Sequence, residues 1–271
     1  MKIFNVRYFL VGLGFLFLLP NFLPRPKVLL VNMGHRWERF DPQLALRLQS
    51  VDDLLQYTDS AAKANRSDSS PLGYANELAN VVRNRFYHGY SNYSLRENWI
   101  AVIAGSLIWS DLSAIVLPND ILKYPNAACS QQSIVMMECF KRKGIPFRKI
   151  GYDHHFALEG LVQGKWYYFD PDLEPEFYDV KRNSIDSIFA KQEEFTIYKN
   201  RLDSAGIESG LANKTIGEVN TPPAPRASLF HLVTKVLSKT LWLLPLGLLF
   251  YFNRRKKLTK GRLYEENELA A

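Results

Sequence analysis

Apolar positions along this chain follow three regimes. At each end they run almost without interruption, over residues 8–23 and again over 241–252. Between those runs they recur at intervals of three and four. Leu44, Leu48, Val51, Leu54 and Leu55 mark one such stretch and Leu78, Val81, Val82 and Phe86 the next, which predicts amphipathic helices over 42–64 and 73–88. A third helix is predicted from Asn126, a candidate N-cap, through the apolar run Ile134, Val135, Met136, Met137, Cys139 and Phe140. Lys141, Arg142 and Lys143 followed by Gly144 suit a helix end, and Pro146 prevents continuation. Beyond Pro146 the pattern changes to strands: "FRKIGY", "HHFALEGLVQ" and "KWYYFDP" are rich in aromatic residues and punctuated by Gly164.

The end runs read as membrane segments. Residues 8–23 are flanked by Lys2, Arg7, Arg25 and Lys27 and fall a little short of the roughly 20 residues of a typical span. They lack a small-x-small cleavage pattern, which favours an uncleaved anchor over a signal peptide; a buried soluble helix is the remaining alternative. The second run reaches spanning length only with upstream residues that include Lys235 and Lys239, whose long stems can carry their charge toward an interface. An interfacial or protein-packed helix is the alternative there. Arg254, Arg255, Lys256 and Lys257 place the C-terminus in the cytoplasm, and Lys2 and Arg7 place the N-terminus there too. The expected order is an N-terminal anchor over 1–27, a globular domain over 40–200 outside the cytoplasm, periplasmic or exterior, a flexible linker over 201–228, a transmembrane segment over 229–253 and a cytoplasmic tail over 254–271. The linker assignment rests on Gly, Ser, Ala, Asn and Pro content.

Composition narrows the function. The chain has 271 residues, 47% hydrophobic and 23% charged, enough for one substantial domain or two small ones. Its net charge of +7 is dispersed apart from the cluster at 254–257, and aromatic residues do not interleave with basic ones, so a membrane-topology signal explains the charge better than nucleic-acid binding. Cys129 and Cys139 are the two cysteines; on one helix they stand about 15 Å apart by helical rise, beyond disulfide reach. With no CxxC, HExxH or GxxxxGK[ST] motif, no metal and no cofactor is expected.

What remains is a nucleophile, a base and an orienting carboxylate in sequence order: Cys129, His155 and Asp170. Cys129 falls in the first turn of its predicted helix, where unpaired N–H groups and the helix dipole favour negative charge on sulfur. Cys139, among apolar neighbours in the same helix, reads as a core residue. If Gln163 and Gly164 form a two-residue turn, Val162 opposes Lys165 and Ala157 opposes Asp170. His155 then shares the face of Ala157 and meets Asp170 diagonally, while His154 points to the other face. A three- or five-residue turn would reverse that choice. Each residue alone has a bland reading, Cys129 as a small core residue, the histidines as structural and Asp170 as the start of a turn; the combination is harder to explain that way.

Residues 127–172 resemble the transglutaminase-like superfamily. Cys129 matches its helix-start nucleophile, "KGIPFR" its Gly-Ile-Pro-x-Arg segment, and "HFALEGLVQGKWYYFDP" its His-x-x-x-Glu, Gly-x-Trp and Asp-Pro pattern. Ala128 before the cysteine and Phe156 after the histidine depart from common family choices. The resemblance implies an α+β, papain-like core in which helices pack on an antiparallel sheet, here flanked by the two hydrophobic membrane segments. It also implies a cysteine enzyme acting on amide bonds of a protein or peptide substrate through an acyl-enzyme. Hydrolysis is favoured over amine transfer, because water wins unless an amine site exists. The alternative is an inactive binding or scaffold module on the same fold in a membrane-associated assembly. Candidate oxyanion donors are the Cys129 N–H and the side chains of Trp99, Trp109 and Asn126.

Overall fold

The computed structural model describes residues 6–24, 38–64, 70–152, 154–173, 182–193, 196, 198–200 and 214–269, with side chains described as far as Lys256. Its helices in chain order are α1 (Val6–Leu18), α2 (Pro42–Arg47), α3 (Val51–Ala64), α4 (Pro71–Arg85), α5 (Leu95–Leu107), α6 (Pro118–Ile121), α7 (Cys129–Arg142), α8 (Ile185–Ala190), α9 (Pro225–Thr240) and α10 (Leu243–Leu269). The strands are β1 (Phe147–Tyr152), β2 (His155–Val162), β3 (Lys165–Phe169) and β4 (Thr215–Ile216). The chain divides into two compact units: Met1–Pro26, Tyr93–Ser113 and Leu229–Ala271 form one, and Lys27–Asn92 and Ala114–Ser228 the other.

The second unit has the expected α+β architecture. Its sheet is antiparallel in the order β3-β2-β1-β4. Helix α7 lies on one face, where Phe140 meets Phe169 edge-on at 5.3 Å and packs so closely on Gly160 that a Cβ there would stand 2.5 Å from the ring. On the other face Ile150, Ala157, Tyr168, Leu173, Ile185, Ile188 and Tyr198 form a buried cluster beneath α8. Helices α3 and α4 pack on each other and on α7.

Three boundaries differ from the sequence reading. The helix expected over 42–64 is broken at Leu48, whose carbonyl is taken by Arg85, and Ser50 starts α3 by accepting the Asp53 N–H on its hydroxyl at 3.1 Å. The helix expected over 73–88 stops at Arg85 because Phe86 is extended and Tyr87 pairs with Asn126 as a parallel bridge. The linker expected over 201–228 lies outside the described residues as far as 213, but Thr215–Ile216 is an edge strand on β1, reinforced by the Asn220 side chain, which accepts the Phe147 N–H at 3.1 Å. A segment of linker composition thus supplies both a strand and, from Pro225, the start of α9.

The first unit is helical and apolar. Helices α1 and α10 pack together at Gly14, where a Cβ would meet Leu246 at 3.3 Å. Helix α5 joins them: Trp99 stacks on Phe17 at 5.5 Å and donates from Nε1 to the Ser238 carbonyl at 3.0 Å. At Asn98, where α5 leaves helical geometry, the side chain donates to Thr234 Oγ1 at 2.9 Å and accepts from Ser238 Oγ at 3.0 Å. Most of the exposed large apolar side chains belong to this unit, among them Phe15, Leu16, Leu107, Trp109, Val236 and Phe250. Among the described residues no single helix is long and apolar enough to cross a membrane; Pro225–Thr240 and Leu243–Lys256 have that length and composition only together, bent by 49°. The segment expected over 229–253 is divided between α9 and α10, in keeping with Pro245, which lacks an N–H and whose ring conflicts with the carbonyl four residues earlier, at Leu241.

Candidate active site

Helix α7 begins at Cys129, with Ala128 rather than Asn126 at the cap position. The Asn126 amide is committed elsewhere, donating to the Tyr90 carbonyl at 2.8 Å and the Gly89 carbonyl at 3.4 Å. The approach to the helix is held from several sides. Buried Arg85 donates from Nε to Leu48 O at 2.8 Å, from Nη1 to Tyr124 O at 3.0 Å and from Nη2 to Leu122 O. Tyr87 and residues 125–127 exchange backbone hydrogen bonds at 3.0 Å. The Gln131 side chain accepts the N–H groups of Ala128 and Ser91 at 3.2 and 2.9 Å and donates to the carbonyls of Ser91 and Ile115, each at 2.8 Å. Buried polar groups so completely paired fix the first turn, and with it the sulfur.

The histidine and the carboxylate arrive on neighbouring strands. Gln163 and Gly164 form a two-residue turn with φ of 51° and 76°, and Val162 pairs with Lys165 and Leu158 with Phe169. Such a turn keeps the parity that sets His155 and Asp170 on one face. His155 Nε2 is 2.6 Å from Asp170 Oδ2, and both side chains are fully buried. His154 is exposed and has a φ of 62°. Asp170 Oδ2 also accepts from Tyr198 Oη at 2.5 Å and Tyr168 Oη at 3.3 Å, and the two tyrosine hydroxyls are hydrogen-bonded to each other. Asp170 Oδ1 accepts the Leu173 N–H at 3.0 Å. The Tyr152 ring stacks over His155 at 6.1 Å.

The first turn of α7 lies beside the start of β2, where Ser133 Oγ donates to Phe156 O at 3.3 Å. There Cys129 Sγ, a ring nitrogen of His155 and a carboxylate oxygen of Asp172 come within 4.8 Å of one another, all three residues buried. Because Asp170 occupies Nε2, Nδ1 is the nitrogen left to serve the thiol. Asp172 is held in turn: Gln132 Nε2 donates to Oδ1 at 2.9 Å, and His88 Nδ1 lies 2.9 Å from Oδ2. The site therefore contains two histidine–aspartate pairs, of which the sequence pointed to one.

Electrostatics match this geometry. Burial alone would strip the proton from His155, but the Asp170 carboxylate and then Cys129 outweigh it and hold the imidazolium well above the ordinary histidine range. Burial likewise opposes charge on Asp170, yet His155, Tyr198 and the Leu173 N–H keep its carboxyl below the usual range. The hydrogen bond to Asp172 raises His88, against burial. Burial pushes the Cys139 thiol up, in keeping with a core residue.

Two motif residues from the resemblance also meet. Arg148 and Glu159 are paired across β1 and β2, with Arg148 Nε 2.7 Å from Glu159 Oε2, and Glu159 Oε1 accepts the Ile185 N–H at 2.7 Å. Arg148 stacks on Trp166 at 4.3 Å. They tie the sheet to α8 and take no part in the Cys129 cluster. Of the candidate oxyanion donors, Trp99 Nε1 donates to the Ser238 carbonyl, Trp109 is an exposed residue of the first unit and Asn126 is engaged with Tyr90 and Gly89, while the Cys129 N–H lies at the helix start. Asp172, His88 and Tyr198 escaped the sequence reading; the one local signal was the second aspartate of Asp170-Pro171-Asp172. A buried Cys-His-Asp arrangement of this kind is consistent with cysteine-based catalysis. In comparison with known proteins, the chain matches no protein-family model, no curated protein and no solved structure.

Proposed function

We propose that this protein is a membrane-tethered cysteine enzyme of transglutaminase-like type that cleaves amide bonds through an acyl-enzyme. The observation that carries the reading is the placement of His155, with Nε2 on Asp170 and Nδ1 left for Cys129. In the first step the Cys129 sulfur attacks the carbonyl carbon, and the carbonyl oxygen takes up negative charge facing the N–H groups of the α7 first turn. His155 then gives its proton to the leaving amine as the C–N bond breaks, producing a thioester. A water molecule surrenders a proton to His155 and attacks the thioester, and the acid leaves as the thiolate–imidazolium pair is restored. Asp170 keeps the ring in place and stabilises its charge throughout. Asp172 puts a carboxylate beside the sulfur, and among the described residues no separate amine site is defined, so hydrolysis is the favoured outcome and a protein or peptide the favoured substrate.

The tether is supported by the exposed apolar side chains of the first unit and by the exposed Arg254, Arg255 and Lys256 that follow its apolar helix. The proposed topology keeps both termini cytoplasmic and the site outside. Reporter fusions at each end test it, and a C-terminal reporter active outside the cytoplasm overturns it. For the chemistry, alkylation of Cys129 by iodoacetamide at mildly acidic pH is compared in wild type, His155→Ala and Cys129→Ala. Fast labelling that needs both residues is expected. Labelling no faster than that of an ordinary buried thiol, indifferent to His155, refutes the enzyme reading and leaves an inactive binding module.

A further inference from the structure

We propose that Cys129, His155 and Asp172 form a binding site for a thiophilic divalent cation, Zn2+ before any other. The three ligand atoms, a sulfur, a nitrogen and an oxygen, lie within 4.8 Å of one another, and all three residues are buried. Tetrahedral zinc, with bonds of 2.0–2.3 Å, needs its ligand atoms about 3.3–3.7 Å apart, so shifts of about an ångström close the site. Among the described residues His155 Nδ1 is buried with no hydrogen-bond partner, while Nε2 is fixed by Asp170 at 2.6 Å. That is the arrangement in which a carboxylate orients a metal-binding imidazole. Asp172 is oriented independently by Gln132 at 2.9 Å and His88 at 2.9 Å, which leaves lone pairs for a cation.

The donor set selects the metal. Thiolate and imidazole suit zinc, whereas magnesium and calcium demand a full set of oxygen ligands, of which the cluster supplies one residue, Asp172. Three protein ligands leave a fourth position for solvent, as in open zinc sites. Asp172 is what separates this site from a bare thiol–imidazole pair, since it has no part in the contact between His155 and Asp170. Metal and acyl transfer would compete, because the cation takes both the nucleophilic sulfur and the nitrogen that moves the proton. The site does not depend on the proposed enzyme activity, and an inert thiol would bind the metal equally well.

The test uses the purified full-length chain in detergent, with Zn2+ followed by calorimetry and Co2+ by absorption. One equivalent is expected to bind, and Co2+ should give a sulfur-to-metal charge-transfer band in the near ultraviolet that disappears in Cys129→Ser. Asp172→Asn should weaken Zn2+ binding at least tenfold, while Cys139→Ser should leave it unchanged; circular dichroism confirms that each variant is folded. Absence of the charge-transfer band, or stoichiometric binding that survives Cys129→Ser, overturns the site. Iodoacetamide labelling of metal-free protein reads the thiol–imidazole pair alone. Slow labelling together with intact Zn2+ binding therefore refutes the enzyme and supports the metal site, and fast labelling that Zn2+ cannot protect does the reverse.

Discussion

Tyr198 donates its hydroxyl proton to Asp170 Oδ2 at 2.5 Å, so the carboxylate that holds His155 is itself held by a residue 28 positions downstream. This donor is among the groups that keep Asp170 ionised in a fully buried place. Tyr198→Phe removes it and leaves the ring. The carboxyl should then protonate at higher pH, moving the acid limb of Cys129 alkylation upward. Losing the hydrogen bond should also cost about 1–2 kcal/mol in urea unfolding. A limb that stays in place would show that Asp170 does not depend on this hydroxyl.

The His155–Asp170 pair also sets how stability varies with pH. His155 is raised in the folded state, so its contribution is complete below the ordinary histidine value of 6.5 and fades as pH rises through the folded value. Asp170 is lowered, so its contribution is complete above 3.8 and fades as pH falls through the folded value. Both are in force between those limits. His155→Gln should therefore lie furthest below wild type in melting temperature at about pH 4–6.5, and the gap should narrow toward alkaline pH. Scanning fluorimetry across pH reads this directly, and a gap that widens with pH would reverse the charge assignment.

The part of the site that local geometry controls was legible in the sequence. A two-residue turn fixes strand parity, and that separates His155 from His154 without any knowledge of the rest of the fold. Helix-start position likewise separated Cys129 from Cys139. What could not be read are contacts that depend on where distant segments come to rest, such as His88 against Asp172 or Tyr198 beneath Asp170. The helix break at Leu48 was hidden because it preserves the apolar spacing and its free carbonyl is met by the distant Arg85, whereas the break at Leu241 had a local signal in Pro245 that the apolar run masked. Thr215–Ile216 was hidden by composition, since a short edge strand needs only two residues of pairing and the surrounding stretch includes Asn213, Gly217, Asn220 and Pro222.

Gly160 lets α7 approach the sheet. A Cβ at this position would stand 2.5 Å from Phe140 Cε2, and the ring, fully buried against Phe169, has little room to withdraw. Gly160→Ala should cost about 1–3 kcal/mol by overpacking, measured by urea unfolding. Adding Phe140→Leu should recover part of that loss, because the smaller side chain vacates the contested space. If the double variant is destabilised by the sum of the single effects, the clash is not the cause.

Arg85 makes the most demanding connection between the core and the nucleophile. Its guanidinium reaches three backbone carbonyls, those of Leu48, Leu122 and Tyr124, from a position that is 1% exposed. Two of the three lie just before the bend that delivers Cys129 to the start of α7. A lysine keeps the charge but offers a single ammonium in place of a planar fork, so at least one of these buried carbonyls is left unpaired. Arg85→Lys should lose about 2–4 kcal/mol in urea unfolding. At a temperature where the variant is still folded, Cys129 alkylation should also slow, because the 122–128 segment that aims the sulfur has lost its anchor. A purely structural arginine would lower stability and leave that rate unchanged. The alkylation rate of the folded variant therefore decides whether Arg85 positions the nucleophile or only supports the fold.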